Sequence, residues 1–172
     1  MAFKKTSQLL NLGSTLDLVD GTPASFQVSL PLNTLDREIF VVTDIQMDAE
    51  PIPVPLGPGQ TVGILASLNK IGTAVRTIND PQCVGSLRRQ AQSTPADAPM
   101  FQESFLPNES TSGTSSDFIT IIATPDYVLA GSYATTGGAT ANRAVFARIT
   151  GYRAKADADV YAALVTEELN NQ

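Results

Sequence analysis

Hydrophobic and polar side chains alternate along REIFVVTDIQMD, residues 37–48: Ile39, Val41, Ile45 and Met47 read as one face and Phe40, Val42, Asp44, Gln46 and Asp48 as the other. The period of two predicts a β-strand. Further strands are predicted over SFQVSLPL (25–32), QTVGILASL (60–68), GTAVRTI (72–78), DFITIIAT (117–124), DYVLAGSY (126–133) and RAVFARITGYR (143–153), all rich in β-branched or aromatic residues. Asp20-Gly21 and Thr124-Pro125-Asp126 signal turns, and QAQSTPADAP (90–99), PNESTSGTSSD (107–117) and ATTGGATAN (134–142) read as loops. Seven strands without an intervening helix predict an all-β chain, an antiparallel β-sandwich. The long loops favour the jelly-roll type over a meander.

The helical period appears once, in ADADVYAALVTEEL, which predicts a short C-terminal α-helix. Asp157 or Asp159 stands at its amino end, and Val160, Tyr161, Leu164, Val165 and Leu169 lie along one side. Glu167 and Glu168 sit at the carboxyl end, where the helix dipole disfavours negative charge, so the last turn is expected to fray or, as the alternative, to meet a basic partner. Between two strands stands MDAEPIPVPLGPGQ, with Pro51, Pro53, Pro55 and Pro58. The prolines hold the segment extended and withhold N–H groups, so it reads as a stiff, non-pairing connection inside one domain. Ile52, Val54 and Leu56 between them form an apolar side available for burial.

At 172 residues the chain has room for one domain. Charged residues are only 16%, which suits a surface covered by copies of the same chain and also fits a secreted β-domain. The net charge is −6, and the basic residues are dispersed apart from Lys4-Lys5, Arg88-Arg89 and the group Arg148, Arg153 and Lys155. Strong binding to a nucleic-acid backbone is therefore not expected, and Arg88-Arg89 reads as solvated or as half of an inter-subunit ion pair. The one cysteine, Cys83, reads as a small buried hydrophobe. No apolar stretch has the length of a membrane helix, and the apolar run LLNLG is broken before signal-peptide length, so synthesis in the cytoplasm without an export signal is expected.

There is no histidine, which removes the Ser-His-Asp and Cys-His nucleophile systems and the commonest zinc ligand. No phosphate-cradling glycine motif stands between a strand and a helix, and Gly137-Gly138 reads as a loop tip. Asp44, Asp48 and Glu50 are the best-placed acidic group, either as paired carboxylates for glycoside hydrolysis or as calcium ligands. A sugar site would also show aromatic platforms, yet there is no tryptophan; Tyr127, Tyr133, Tyr152 and Tyr161 read as core-edge residues. The expectation is a non-enzyme without cofactor.

From about residue 23 to 153 this charge-poor, histidine-free sandwich with Ser/Thr/Gly loops resembles the single jelly-roll coat proteins of small icosahedral viruses. The resemblance implies a self-assembling capsid subunit located in the virion, with copies of itself as principal partner and other virion proteins beside it. It divides the chain into an N-terminal arm (1–22) reaching a neighbour or the shell interior, the sandwich (23–153), and a C-terminal helix and tail (154–172). In such a shell Ile52, Val54 and Leu56 would meet a neighbouring subunit, and Tyr161, Leu164 and Val165 would form a second subunit contact. MAFKKTSQLLNLG departs from the strongly basic arm of many such proteins, which argues against direct genome condensation. Two alternatives remain: a ligand- or calcium-binding adhesion module, and a phage decoration or tail subunit.

Overall fold

A computed structural model describes residues 3–52, 56–93, 99–107, 118–137 and 141–170. Among these the chain forms β1 (Phe3–Lys5), β2 (Leu10–Leu18), β3 (Ala24–Ser29), a 3-10 turn (Thr34–Asp36), β4 (Glu38–Ala49) and β5 (Thr61–Asn69). It continues with β6 (Cys83–Ser93), β7 (Pro99–Pro107), β8 (Thr120–Ile122), β9 (Asp126–Thr136), β10 (Arg143–Ala156) and α1 (Ala158–Asn170). One sheet runs β8–β4–β10, with β1 and β2 sharing the far edge of β10; the other runs β3–β9–β5–β6–β7. Every strand pairing is antiparallel.

Set aside β1, which extends the edge formed by β2, and β7, which widens the second sheet. The remaining eight strands, numbered along the chain, fall as first-eighth-third-sixth in one sheet and second-seventh-fourth-fifth in the other. First pairs with eighth, second with seventh, third with sixth and fourth with fifth, as if one long hairpin had been rolled around a core. That order is a jelly roll. Its consequence is that the β3–β4, β5–β6 and β8–β9 loops gather at one end of the sandwich. The β2–β3, β4–β5 and β9–β10 connections gather at the other.

The described part of segment 1–22 does not form an arm. Leu10–Leu18 pairs along its whole length with Arg143–Gly151, and Leu16 and Leu18 enter the core. Opposite them a row of small residues, Ala24, Ala66 and Gly131, makes room; a Cβ on Gly131 would lie 2.8 Å from Leu18. This close fit uses the apolar positions of LNLGSTLDL, which Asn11 and Gly13 obscure at its start.

Strand β4 corrects the simple two-face reading. Between Val42, opposite Gly151, and Asp44, opposite Thr150, it carries one extra residue, Thr43, whose hydroxyl donates to the Thr150 carbonyl at 3.2 Å. This β-bulge reverses the phase of alternation. Phe40 and Val42 before it, and Ile45, Met47 and Ala49 after it, all enter the main core. Ile39 and Val41 face the other way, into a second cluster with Ala123, Ala154 and Ala156 that α1 covers. A register shift at Leu68/Asn69 opposite Cys83 and Gly85 does the same for β6, letting both Val84 and Leu87 point inward.

Residues 72–78, GTAVRTI, are not a strand. Asn69 Nδ2 donates to the carbonyls of Gly72 and Ala74, Gly72 has φ +88°, and the Arg76 N–H goes to Ser67 Oγ at 3.0 Å. Side chains thus hold this backbone as a loop laid over the second sheet, with Arg76 and Asp80 paired at 2.6 Å. Strand β6 takes 90–93 and β7 begins at Pro99, the two ends of what reads as loop in QAQSTPADAP; 94–98 and 108–117 lie outside the described residues. Tyr127 and Tyr133 are fully buried between the sheets and not at the core edge; Tyr152 and Tyr161 are half-buried.

Gly151 sits where the bulge brings β10 and β4 together: a Cβ there would run into the Val41 carbonyl oxygen and lie 2.6 Å from the Phe40 ring. Gly151→Ala should lower unfolding stability by about 3 kcal/mol through overpacking, read as the urea midpoint. Chain entropy alone would favour alanine by about 0.5 kcal/mol, so the sign of the change tests the packing argument.

Candidate functional site

The acidic candidates are held apart. Asp44 and Asp48 do share the outer face of the first sheet, but strand geometry spaces residues four apart by about 13 Å. Asp44 accepts from Gln46 Nε2 at 3.2 Å. Asp48 pairs with Arg89 at 2.9 Å. Glu50 accepts the Ala144 N–H at 3.1 Å, while its own N–H donates to the Ala144 carbonyl, which extends the β4–β10 ladder by one residue. Among the described residues no three His, Cys, Asp or Glu side chains come together as a metal site.

Arg89, read from the sequence as solvated or inter-subunit, is an internal clamp. It lies on β6 opposite Glu103 of β7, faces the space between the sheets, and is largely buried. Its guanidinium bonds Glu103 at 2.5 Å, Asp48 at 2.9 Å and the Ala49 carbonyl, so one side chain ties the second sheet to the end of β4 in the first. The planar fork of arginine suits three acceptors at once. Arg88 points outward and bonds Gln90.

The predicted subunit contacts are redirected into the chain's own core. Ile52 and Leu56 are 7% and 9% exposed and belong to the main cluster; Val54 lies outside the described residues. The run turns tightly at 57–60, where Gly59 has φ +72° and the Gln60 N–H reaches the Gly57 carbonyl. Tyr161, Leu164 and Val165 pack on Ile39, Val41, Ala123, Ala154 and Ala156 of the same chain. The alanines on β10 let the helix come close.

Glu168, and not Leu169, completes the buried stripe of α1. Leu169 is half exposed, while Glu168 is 1% exposed and accepts the N–H groups of Ala123 and Thr124, both at 2.9 Å. The last turn is therefore anchored to the β8–β9 turn instead of fraying. Burial pushes the Glu168 carboxyl above the ordinary glutamate range, against the pull of those two N–H donors and of Lys70. Gln82 Nε2 adds a bond to the Glu167 carbonyl at 3.4 Å. Nothing in the linear sequence signals this role, because the donors lie some 45 residues away.

Cys83 is buried, and burial pushes its thiol up to about 11, so at neutral pH it is a protonated thiol and not a nucleophile. Two open faces remain. On the second sheet a shallow groove of about 240 Å³ runs past Gly63, Leu65, Arg88, Ser132 and Ala134. On the half of the first sheet that α1 leaves bare, Phe146 is 42% exposed beside Asp48 and Arg148. No helix among the described residues is long and apolar enough to cross a membrane.

Ile52→Ser and Leu56→Ser should each destabilise the isolated chain by about 2–4 kcal/mol, measured by urea unfolding, since each leaves a cavity and a buried hydroxyl.

The Glu168 pKa is higher folded than unfolded, so its contribution is fully present below the unfolded value and is lost as pH rises through the folded one. Stability should accordingly fall with rising pH across that window. Glu168→Gln should flatten that decline in urea melts run over the same range. A decline of unchanged slope would remove Glu168 as its source.

No protein-family model matches the chain, and no curated protein is similar to it.

Proposed function

We propose that this chain is a structural, self-assembling subunit of a virus particle, a capsid or coat protein. The observation that carries the reading is the strand order: two four-stranded sheets interleaved as first-eighth-third-sixth and second-seventh-fourth-fifth, an architecture that capsid domains share with lectins and cupins. Composition separates these uses. Cupin-type metal chemistry draws on histidine, and the chain has none. A lectin site stacks sugar on aromatic rings, whereas the chain has no tryptophan and Tyr127, Tyr133 and Phe40 are spent in the core.

The charge-poor surface supports the same reading. With 16% charged residues and an open second-sheet face where threonine, glycine, serine and alanine surround Leu65 and Arg88, desolvating that face against further copies costs little. Because the apolar sides of the proline run and of α1 are used within the chain, contacts between copies would fall on these faces, on sheet edges and on end loops. Such contacts are individually weak and gain strength by repetition.

Sizing by light scattering across protein concentration and salt, with electron microscopy of the same samples, tests the proposal. The expected result is closed particles or concentration-dependent large oligomers. A chain that remains monomeric throughout would overturn it and favour the ligand-binding module.

A further inference from the structure

Three basic residues far apart in the sequence, Lys4, Arg37 and Lys155, meet in the fold. Lys4 on β1 and Lys155 on β10 are direct cross-strand partners, although 151 positions separate them. Like charges placed directly opposite destabilise a sheet unless something neutralises them. Arg37 joins them: Ala156 N–H donates to its carbonyl at 3.1 Å, which holds it beside the strand that carries Lys155. Arg37 has φ +56°, a left-handed conformation that costs a non-glycine residue free energy. That conformation closes the 3-10 turn at Thr34–Asp36, where the Arg37 N–H donates to the Thr34 carbonyl at 3.1 Å.

Lys4, Arg37 and Lys155 line one open groove of about 450 Å³, together with the hydroxyl-bearing Thr6 and one acid, Asp157. The nearby counter-charges are only partly available. Glu38 is shared among Arg153 at 3.6 Å, the Thr6 hydroxyl and the Asn33 N–H. Asp36 approaches Lys155 at 3.8 Å with both side chains about half exposed. Among the described residues neither Lys4 nor Arg37 forms an ion pair. Three cations thus face one groove in a chain whose net charge is −6.

We propose that this groove binds a phosphate group, with Lys4 and Lys155 as point charges on either side of it and the Arg37 fork engaging two of its oxygens. A single carboxylate would neutralise one of the three cations, whereas a phosphate dianion or diphosphate brings enough charge and enough acceptor oxygens for all of them. The site is independent of the shell reading, since a monomeric chain would carry it equally.

Pyrophosphate is the probe. Added to the full chain and compared with sodium chloride at matched ionic strength, it should raise the thermal midpoint and bind saturably in titration calorimetry. Lys4→Ala should weaken that binding about tenfold, the loss expected for one charge-assisted contact. Arg37→Gly fits the backbone at that position, so it keeps the fold while removing the guanidinium, and should weaken binding by a similar factor. No response beyond that of chloride, or undiminished binding in both variants, overturns the proposal. Displacement of pyrophosphate by a short single-stranded oligonucleotide would identify a phosphodiester as the source; failure to displace it would identify a free phosphate.

Discussion

The extra residue at Thr43 is the constraint on which the architecture turns. Strand β10 keeps one phase of alternation from Val145 to Arg153, yet its partner β4 must feed two cores, and an unbroken strand of twelve residues can offer each face only one parity. The bulge switches parity in mid-strand. Before it, Ile39 and Val41 face outward under α1; after it, the outward positions are Asp44, Gln46 and Asp48, which meet solvent. Gly151 makes the switch sterically possible, because the Val41 carbonyl and the Phe40 ring occupy the space a side chain would need. One inserted residue thus divides the outer face of the first sheet into a half that takes the helix and a half that stays open.

The helix closes over its half by an unusual contact. A glutamate is expensive to bury, and Glu168 is tolerated because the two N–H groups of the β8–β9 turn would otherwise be left without acceptors at the same place. Donors and acceptor each remove the other's penalty, and the helix end is tied to the loop end of the sandwich, where Lys70 and Gln82 also approach. Arg89 plays a comparable part toward the other end, joining β6, β7 and β4 across the gap between the sheets. Both are polar devices that fix how pieces distant in sequence sit on one another. The apolar residues supply most of the driving force and little of this specificity.

Such internal use of apolar and polar groups bears on function. Ile52, Leu56, Tyr161, Leu164 and Val165 might each have been spent on a neighbour; within the described chain they are spent on its own core and on the outer cluster under α1. What remains outside is sparsely charged and mixes small polar residues with exposed apolar side chains such as Phe26, Leu65 and Phe146. It is on this surface that the proposed contacts between copies would fall.

Sequence pattern alone determined the class of fold and several of its strands. The period of two over 37–48 and the β-branched and aromatic composition of 60–68, 126–133 and 143–153 mark β4, β5, β9 and β10, all of them inside the two sheets. Two strands were harder: β2, at a sheet edge, mixes Asn11 and Gly13 into its apolar positions, and β6, between β5 and β7, carries Arg88-Arg89, of which Arg89 is buried through acceptors elsewhere. GTAVRTI has strand composition but folds as a loop, because Asn69 and Ser67 bond its backbone and no neighbouring strand is there to do so. Only tertiary structure could decide the phase switch at Thr43, the burial of Glu168 and the meeting of Lys4 with Arg37 and Lys155. Each depends on partners brought in from far along the chain, and periodicity reports which side a residue faces but not what waits there.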